Sequence, residues 1–177
     1  AYPCKIVANL YEGGPNSTPT IAGGRVYTFG KEGQLFCLDA TTGAVIWETR
    51  VAKEHPQFGY ASSPVIVGDR LFLNVGAHGM AVNLADGKVL WSSGTSKGSG
   101  YASVVPFAWN DKPALAIFAD NGLACVDPKS GKQIWHSPWK TKYDVHAADP
   151  IPMGDRIFIS SGYERGWLQH LWQAFGP

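Results

Sequence analysis

Three segments of this chain repeat one another at a fixed interval. They read Cys37-Leu-Asp-Ala-Thr-Thr-Gly43-Ala-Val-Ile-Trp47, Ala81-Val-Asn-Leu-Ala-Asp-Gly87-Lys-Val-Leu-Trp91 and Cys125-Val-Asp-Pro-Lys-Ser-Gly131-Lys-Gln-Ile-Trp135. Trp47, Trp91 and Trp135 stand 44 residues apart, and Gly43, Gly87 and Gly131 keep the same interval. A period of about 40 residues carrying several matched positions marks an architecture of stacked, similar units. Few other features constrain a fold so tightly.

Each matched position has a physical role. Asp39, Asn83 and Asp127 stand where a strand gives way to a turn, and their side chains accept hydrogen bonds from turn amides. Gly43, Gly87 and Gly131 supply the positive φ that a tight connection needs. The apolar pair leading into each Trp reads as a strand. An indole recurring once per unit, with a small residue (Cys37, Ala81, Cys125) ten positions earlier, predicts a ring largely buried in the seam between neighbouring sheets.

The pattern small-x-Asp-x-x-x-Gly-x-x-x-Trp resembles the tryptophan-docking motif of the PQQ-like, quinoprotein-type β-propeller repeat. That family includes quinoprotein dehydrogenases and non-enzymatic relatives such as periplasmic outer-membrane-assembly scaffold propellers. The resemblance implies an all-β fold, a β-propeller of four-stranded antiparallel blades, with four blades in this chain. It also implies a non-catalytic module that binds or scaffolds protein partners, or associates with itself, in a periplasmic or secreted setting. The alternative from the same family is a cofactor-dependent quinoprotein oxidoreductase, or a fragment of one.

The 177 residues can bury a core as one domain, and the net charge of +1 comes with no basic run, so no nucleic-acid partner is expected. No apolar run is long enough to span a bilayer, and these residues open with no signal peptide. Cys4, Cys37 and Cys125 cannot all pair; Cys37 and Cys125 share a motif position and read as buried small residues.

Blades are expected at about 15–50, 60–95, 101–139 and 147–177, the last completed by residues 2–11. Counting 44 back from Trp47 lands on Pro3, so Lys5-Ile-Val-Ala-Asn-Leu is placed at an outermost strand of the fourth blade. That pairing closes the ring and removes two open edges. The alternative is a homodimer completing an eight-blade ring. The fourth period lacks the motif, and a Trp in register would fall at 179. Its tail, with Trp167, Leu171 and Phe175 four apart, would suit a short helix, but a blade requires a third strand there.

Ligands of such rings meet the innermost strands. Aligning on Pro19, Pro64, Val105 and Pro150 puts Tyr60, Tyr101 and His146 at the entrance, with Ser62 and Ser103 two residues before the anchor and Asp149 one residue before it. These six residues are the candidate rim. The stronger competing reading is that the hydroxyls satisfy backbone groups and the tyrosines anchor loops. His146 and Asp149 could pair as a base and its orienting carboxylate, yet nothing places a nucleophile beside them. No catalytic residue is therefore assigned. No metal site is assigned either, since His55, His78, His136 and His170 lack ligand spacing. Quinoprotein dehydrogenases carry an adjacent Cys-Cys pair and calcium-binding carboxylates. Here no two cysteines are adjacent and Asp39 and Asp127 belong to the docking motif, so no cofactor is expected.

Overall fold

A computed structural model describes residues 16–94, 99–162 and 170–173 of the protein. The first blade is built from β1 (Thr20–Ala22), β2 (Arg25–Phe29), β3 (Gln34–Asp39) and β4 (Val45–Arg50). The second holds β5 (Val65–Val67), β6 (Arg70–Leu73), β7 (Met80–Asn83) and β8 (Val89–Ser92). The third holds β9 (Val105–Trp109), β10 (Lys112–Ala119), β11 (Gly122–Val126) and β12 (Gln133–Pro138). In the fourth, β13 (Ile151–Met153), β14 (Arg156–Ile159) and β15 (His170–Gln173) are described. The strands of each sheet lie in chain order, and every pairing is antiparallel. This is the all-β propeller that the repeats predict, four blades in one chain.

The inner hairpins follow turn chemistry. Gly23 and Gly24 both take positive φ, and in the third blade Asn110 (φ 49) and Asp111 (φ 59) take the same place. The small residue of each motif faces its own indole across the sheet: Cys37 pairs with Trp47, Ala81 with Trp91 and Cys125 with Trp135. A bulge follows each pair at the same point, and a small residue there leaves room for the ring. Cys37 and Cys125 are buried free thiols.

The core lies in the seams. Tyr27, Phe29 and Leu35 of the first blade pack with Leu71, Met80 and Val82 of the second. Phe72 and Ala81 pack with Leu115, Ala124 and Val126 across the next seam, and Phe118 and Leu123 pack with Ile157 and Ile159 across the last. Each blade thus buries its faces against its neighbours, as stacked units must.

The fourth blade bears out one expectation and corrects another. Its third element is the strand that a blade requires, over His170–Gln173. Gln173 pairs opposite Arg156, as Asp39 does opposite Arg25 and Asn83 opposite Arg70. The register therefore runs two residues past the 44-residue interval, and the in-register Trp moves from 179 to 181. The placement of residues 2–11 as an outer strand, Cys4, Trp167 and Phe175 all lie outside the described residues.

Candidate functional site

Two sets of blade-to-blade contacts use most of the residues that the sequence singles out. The outer set is the motif itself. Asp39 Oδ1 accepts hydrogen bonds from the amides of Thr41 (3.0 Å) and Thr42 (2.8 Å) and from the Thr42 hydroxyl (2.9 Å). Asp127 does the same for Lys129 and Ser130, and Asn83 Oδ1 accepts from Ala85 at 2.8 Å. These bonds favour the ionised form and hold both aspartates below the ordinary carboxylate range. The amides of Gly43, Gly87 and Gly131 close each turn on the carbonyls of Asp39, Asn83 and Asp127, all at 2.9 Å.

Onto that turn the preceding blade lays its indole. Trp47 Nε1 donates to the Leu84 carbonyl at 3.3 Å, and Trp91 Nε1 to the Pro128 carbonyl at 3.0 Å. The rings lie on Gly87 and Gly131: a Cβ there would stand 2.7 Å from Trp47 Cε3 and 2.5 Å from Trp91 Cδ2. These two glycines are needed twice over, for φ near +74° and +72° and for the missing side chain. Arg70 adds a clamp, donating to the carbonyls of Pro128 (3.2 Å) and Lys129 (2.8 Å). Each indole keeps some exposure, so it is half-buried against its neighbour rather than enclosed. Trp135 Nε1 is buried but has no acceptor among the described residues, where the fourth blade shows no such turn.

The inner set is a relay along the inner strands. The Thr18 amide donates to Ser63 Oγ (3.0 Å), the Ser63 amide to Ser103 Oγ (3.2 Å) and the Ser103 amide to Asp149 Oδ1 (2.6 Å). Each blade supplies the acceptor for the blade before it. Here Ser103 and Asp149 serve backbone groups, as the simpler reading of the inner hydroxyls expects. The relay also corrects the alignment of the third blade: Ser103 matches Ser63, not Ser62, and Val104 rather than Val105 takes the place of Pro19, Pro64 and Pro150. Without a proline in that blade, sequence alone slips by one.

The corrected register moves the entrance residues. Tyr60, Gly100 and His146 are now equivalent, and all three are buried. Tyr60 packs on Phe29 of the blade before it, ring centres 5.0 Å apart, and donates its hydroxyl to the Glu54 carbonyl. Burial, with the Glu54 carboxylate, pushes this phenol up to about 12. His146 stacks on Phe118 of the blade before it at 4.3 Å and 12°. Between them Asn74 replaces the aromatic ring and Gly100 the wedge: Asn74 Nδ2 donates to the carbonyls of Ala102 and Phe118, both at 3.0 Å, and its Oδ1 accepts from the Gly100 amide at 3.3 Å. Tyr60 and His146 are therefore wedges in the seams, not residues of an open rim. Asn74 and Gly100 escape a reading of the sequence by residue type, because their signal is only a shared register with Phe29 and Tyr60.

Of the other candidates, Tyr101 is half-buried. Its hydroxyl accepts from the Phe58 amide at 3.4 Å, its ring lies 6.1 Å from that of Phe58, and burial raises its pKa. Ser62 is buried, with no partner for Oγ among the described residues. Asp149 is exposed and its carboxylate is turned to Ser103, so it does not pair with His146. Of the six rim candidates, Tyr101, Ser103 and Asp149 keep exposure, beside the loop that carries Phe58. No nucleophile and base meet there. Among the described residues no three His, Cys, Asp or Glu side chains come together to hold a metal. The quinone and calcium of the enzyme relatives do not fit this residue set: no cysteine pair is adjacent, and Asp39 and Asp127 are spent on turns.

Residues 8–173 match the family model described as outer membrane protein assembly factor BamB. The chain belongs to this family. It is 25% identical over 169 residues to the outer membrane protein assembly factor BamB of Burkholderia pseudomallei, covering 89% of this chain and 44% of that protein. The crystal structure of BamB from Moraxella catarrhalis superposes with a TM-score of 0.60 at 17% identity, covering 82% of this chain and 46% of that one. A quinohemoprotein alcohol dehydrogenase from Comamonas testosteroni gives 0.57 at 14% identity, over 82% of this chain and 32% of that one. At these identities the two structures speak for the fold alone. The chain spans less than half the length of the BamB relatives it matches. Among the described residues no helix is long and apolar enough to cross a membrane.

Proposed function

We propose that this chain is a non-catalytic propeller module that scaffolds protein partners in outer-membrane protein assembly, working in the periplasm. The observation that carries the reading is the use of the polar inner-strand groups: Ser63, Ser103 and Asp149 hold neighbouring blades, leaving no convergent set for catalysis among the described residues. The family match supports the same direction, since its description names an assembly factor. The partner surface is the entrance face around Tyr101 and Phe58, an aromatic pair on a loop held by blade-to-blade bonds.

The test has two arms. A photo-crosslinking residue at Tyr101 should capture a component of the outer-membrane assembly machinery in the envelope, and the same probe at Asp111 on an inner hairpin should not. Purified protein incubated with pyrroloquinoline quinone and calcium should bind no quinone by absorbance and should oxidise no alcohol. Stoichiometric quinone uptake with turnover would replace this reading by the oxidoreductase one.

A further inference from the structure

The segment between β12 and β13 carries one buried group that neither docking nor the relay uses. The His146 ring is fully buried between the third and fourth blades, flat against Phe118. Neither ring nitrogen has a hydrogen-bond partner of ordinary length and angle. Two more buried acceptors in the neighbouring turns, Asn121 Oδ1 and Thr141 Oγ1, are also without partners. The His146 carbonyl, in contrast, is fully engaged: the amides of Tyr101 and Ala102 both donate to it at 3.0 Å. The same residue thus fills the seam with its side chain and holds the entrance segment with its backbone.

The equivalent wedge in the second blade is Tyr60, which fills its seam on Phe29 without titrating near neutrality. A histidine in this place packs similarly only while it is neutral. Charging it would put a cation in a fully buried seam, flat against Phe118, where the carbonyls of Asp120 and Trp139 and the carboxylates of Asp120 and Asp144 offset only part of the cost of desolvation.

We propose that His146 is an acid-sensitive wedge: taking up a proton drives its ring out of the seam between the third and fourth blades and loosens the Tyr101–Ser103 entrance segment. The proposal is independent of the partner assigned above. Burial lowers the pKa of His146; the carboxylates of Asp144 and Asp120 and the backbone of Asp120 and Trp139 oppose that shift without reversing it. Lys140, the nearby cation, is engaged with Asp144 at 3.3 Å. Because the folded pKa lies below the unfolded one, the unfolded chain binds more protons. The stability contributed by neutral His146 is therefore present above the ordinary histidine pKa and is lost as pH falls from there toward the folded value. His78, near His136, has a pKa lowered by burial too and adds to the same acid limb from the preceding seam.

The experiment compares the parent with His146→Phe, which copies the aromatic wedge without the titration. Melting temperature is measured from pH 7.5 to 5.0. The parent should lose on the order of 3 °C more than the variant across that range. Equal losses would overturn the proposal. Should His146→Phe fold poorly, amide hydrogen exchange in the parent decides. After correction for intrinsic rates, Tyr101 and Ala102 should lose protection between pH 7 and 5.5 ahead of the amides of β2 and β3. Protection that stays level at those two amides would overturn it.

Discussion

At the scale of single residues, the two docked indoles and the undocked one form an internal experiment. Trp91 lies on Gly131 and donates to Pro128, whereas Trp135 buries the same N–H without an acceptor among the described residues. Replacing Trp91 by Ala should cost about 3 kcal/mol, at the low end for a buried aromatic because the ring keeps some exposure. Trp135→Ala should cost less, since it also removes an unsatisfied donor. Denaturant titration of both variants checks the order, and a Trp135 variant as damaged as the Trp91 one would contradict it. The sequence made these positions visible because each repeats three times with a fixed offset. Asn74 and Gly100 were invisible for the opposite reason. Each changes residue type between blades, aromatic to amide and tyrosine to glycine, while keeping one place in the register. Only the compensating pair, a small wedge facing a polar partner, makes sense of either residue.

Elements behave as the repeats predict where turn chemistry is explicit, and slip where it is not. Strands β1, β5 and β13 begin one residue after a proline, so their register can be read by eye. β9 follows Val104 instead, and an alignment anchored on Val105 moves Tyr101 and Ser103 one place along the strand. The consequence reaches the candidate site: polar and aromatic residue types were legible, but which of them face a seam was not, since one residue of slip reverses the face. The relay offers the check at this scale. Ser103→Ala strips the acceptor from the Ser63 amide and should destabilise by about 1 kcal/mol. Ser103→Thr, which keeps the hydroxyl, should restore most of it. Matching losses in both variants would mean that the hydroxyl bond between these strands contributes nothing.

For the whole molecule, the prediction concerns how the fourth blade is finished. Three strands are described there, against four in each of the other blades. With residues 2–11 as the missing strand, the protein should sediment as a monomer, and removing residues 1–11 should lower its melting temperature by several degrees. A stable dimer whose melting is indifferent to that removal would favour the eight-blade ring shared by two chains. An intact monomer equally indifferent would leave the segment without a structural part.

Every contact in both sets points the same way along the chain. Trp47 lies on a turn made later, Trp91 on one made later still, and the amides of Thr18, Ser63 and Ser103 each wait for an oxygen from the blade that follows. During synthesis, therefore, none of the first three blades has all its described contacts when its own last strand emerges. Each is finished by its successor, so the seams seal in chain order, one blade behind the emerging chain. A pause in elongation would leave a single unfinished unit, with every earlier one already sealed.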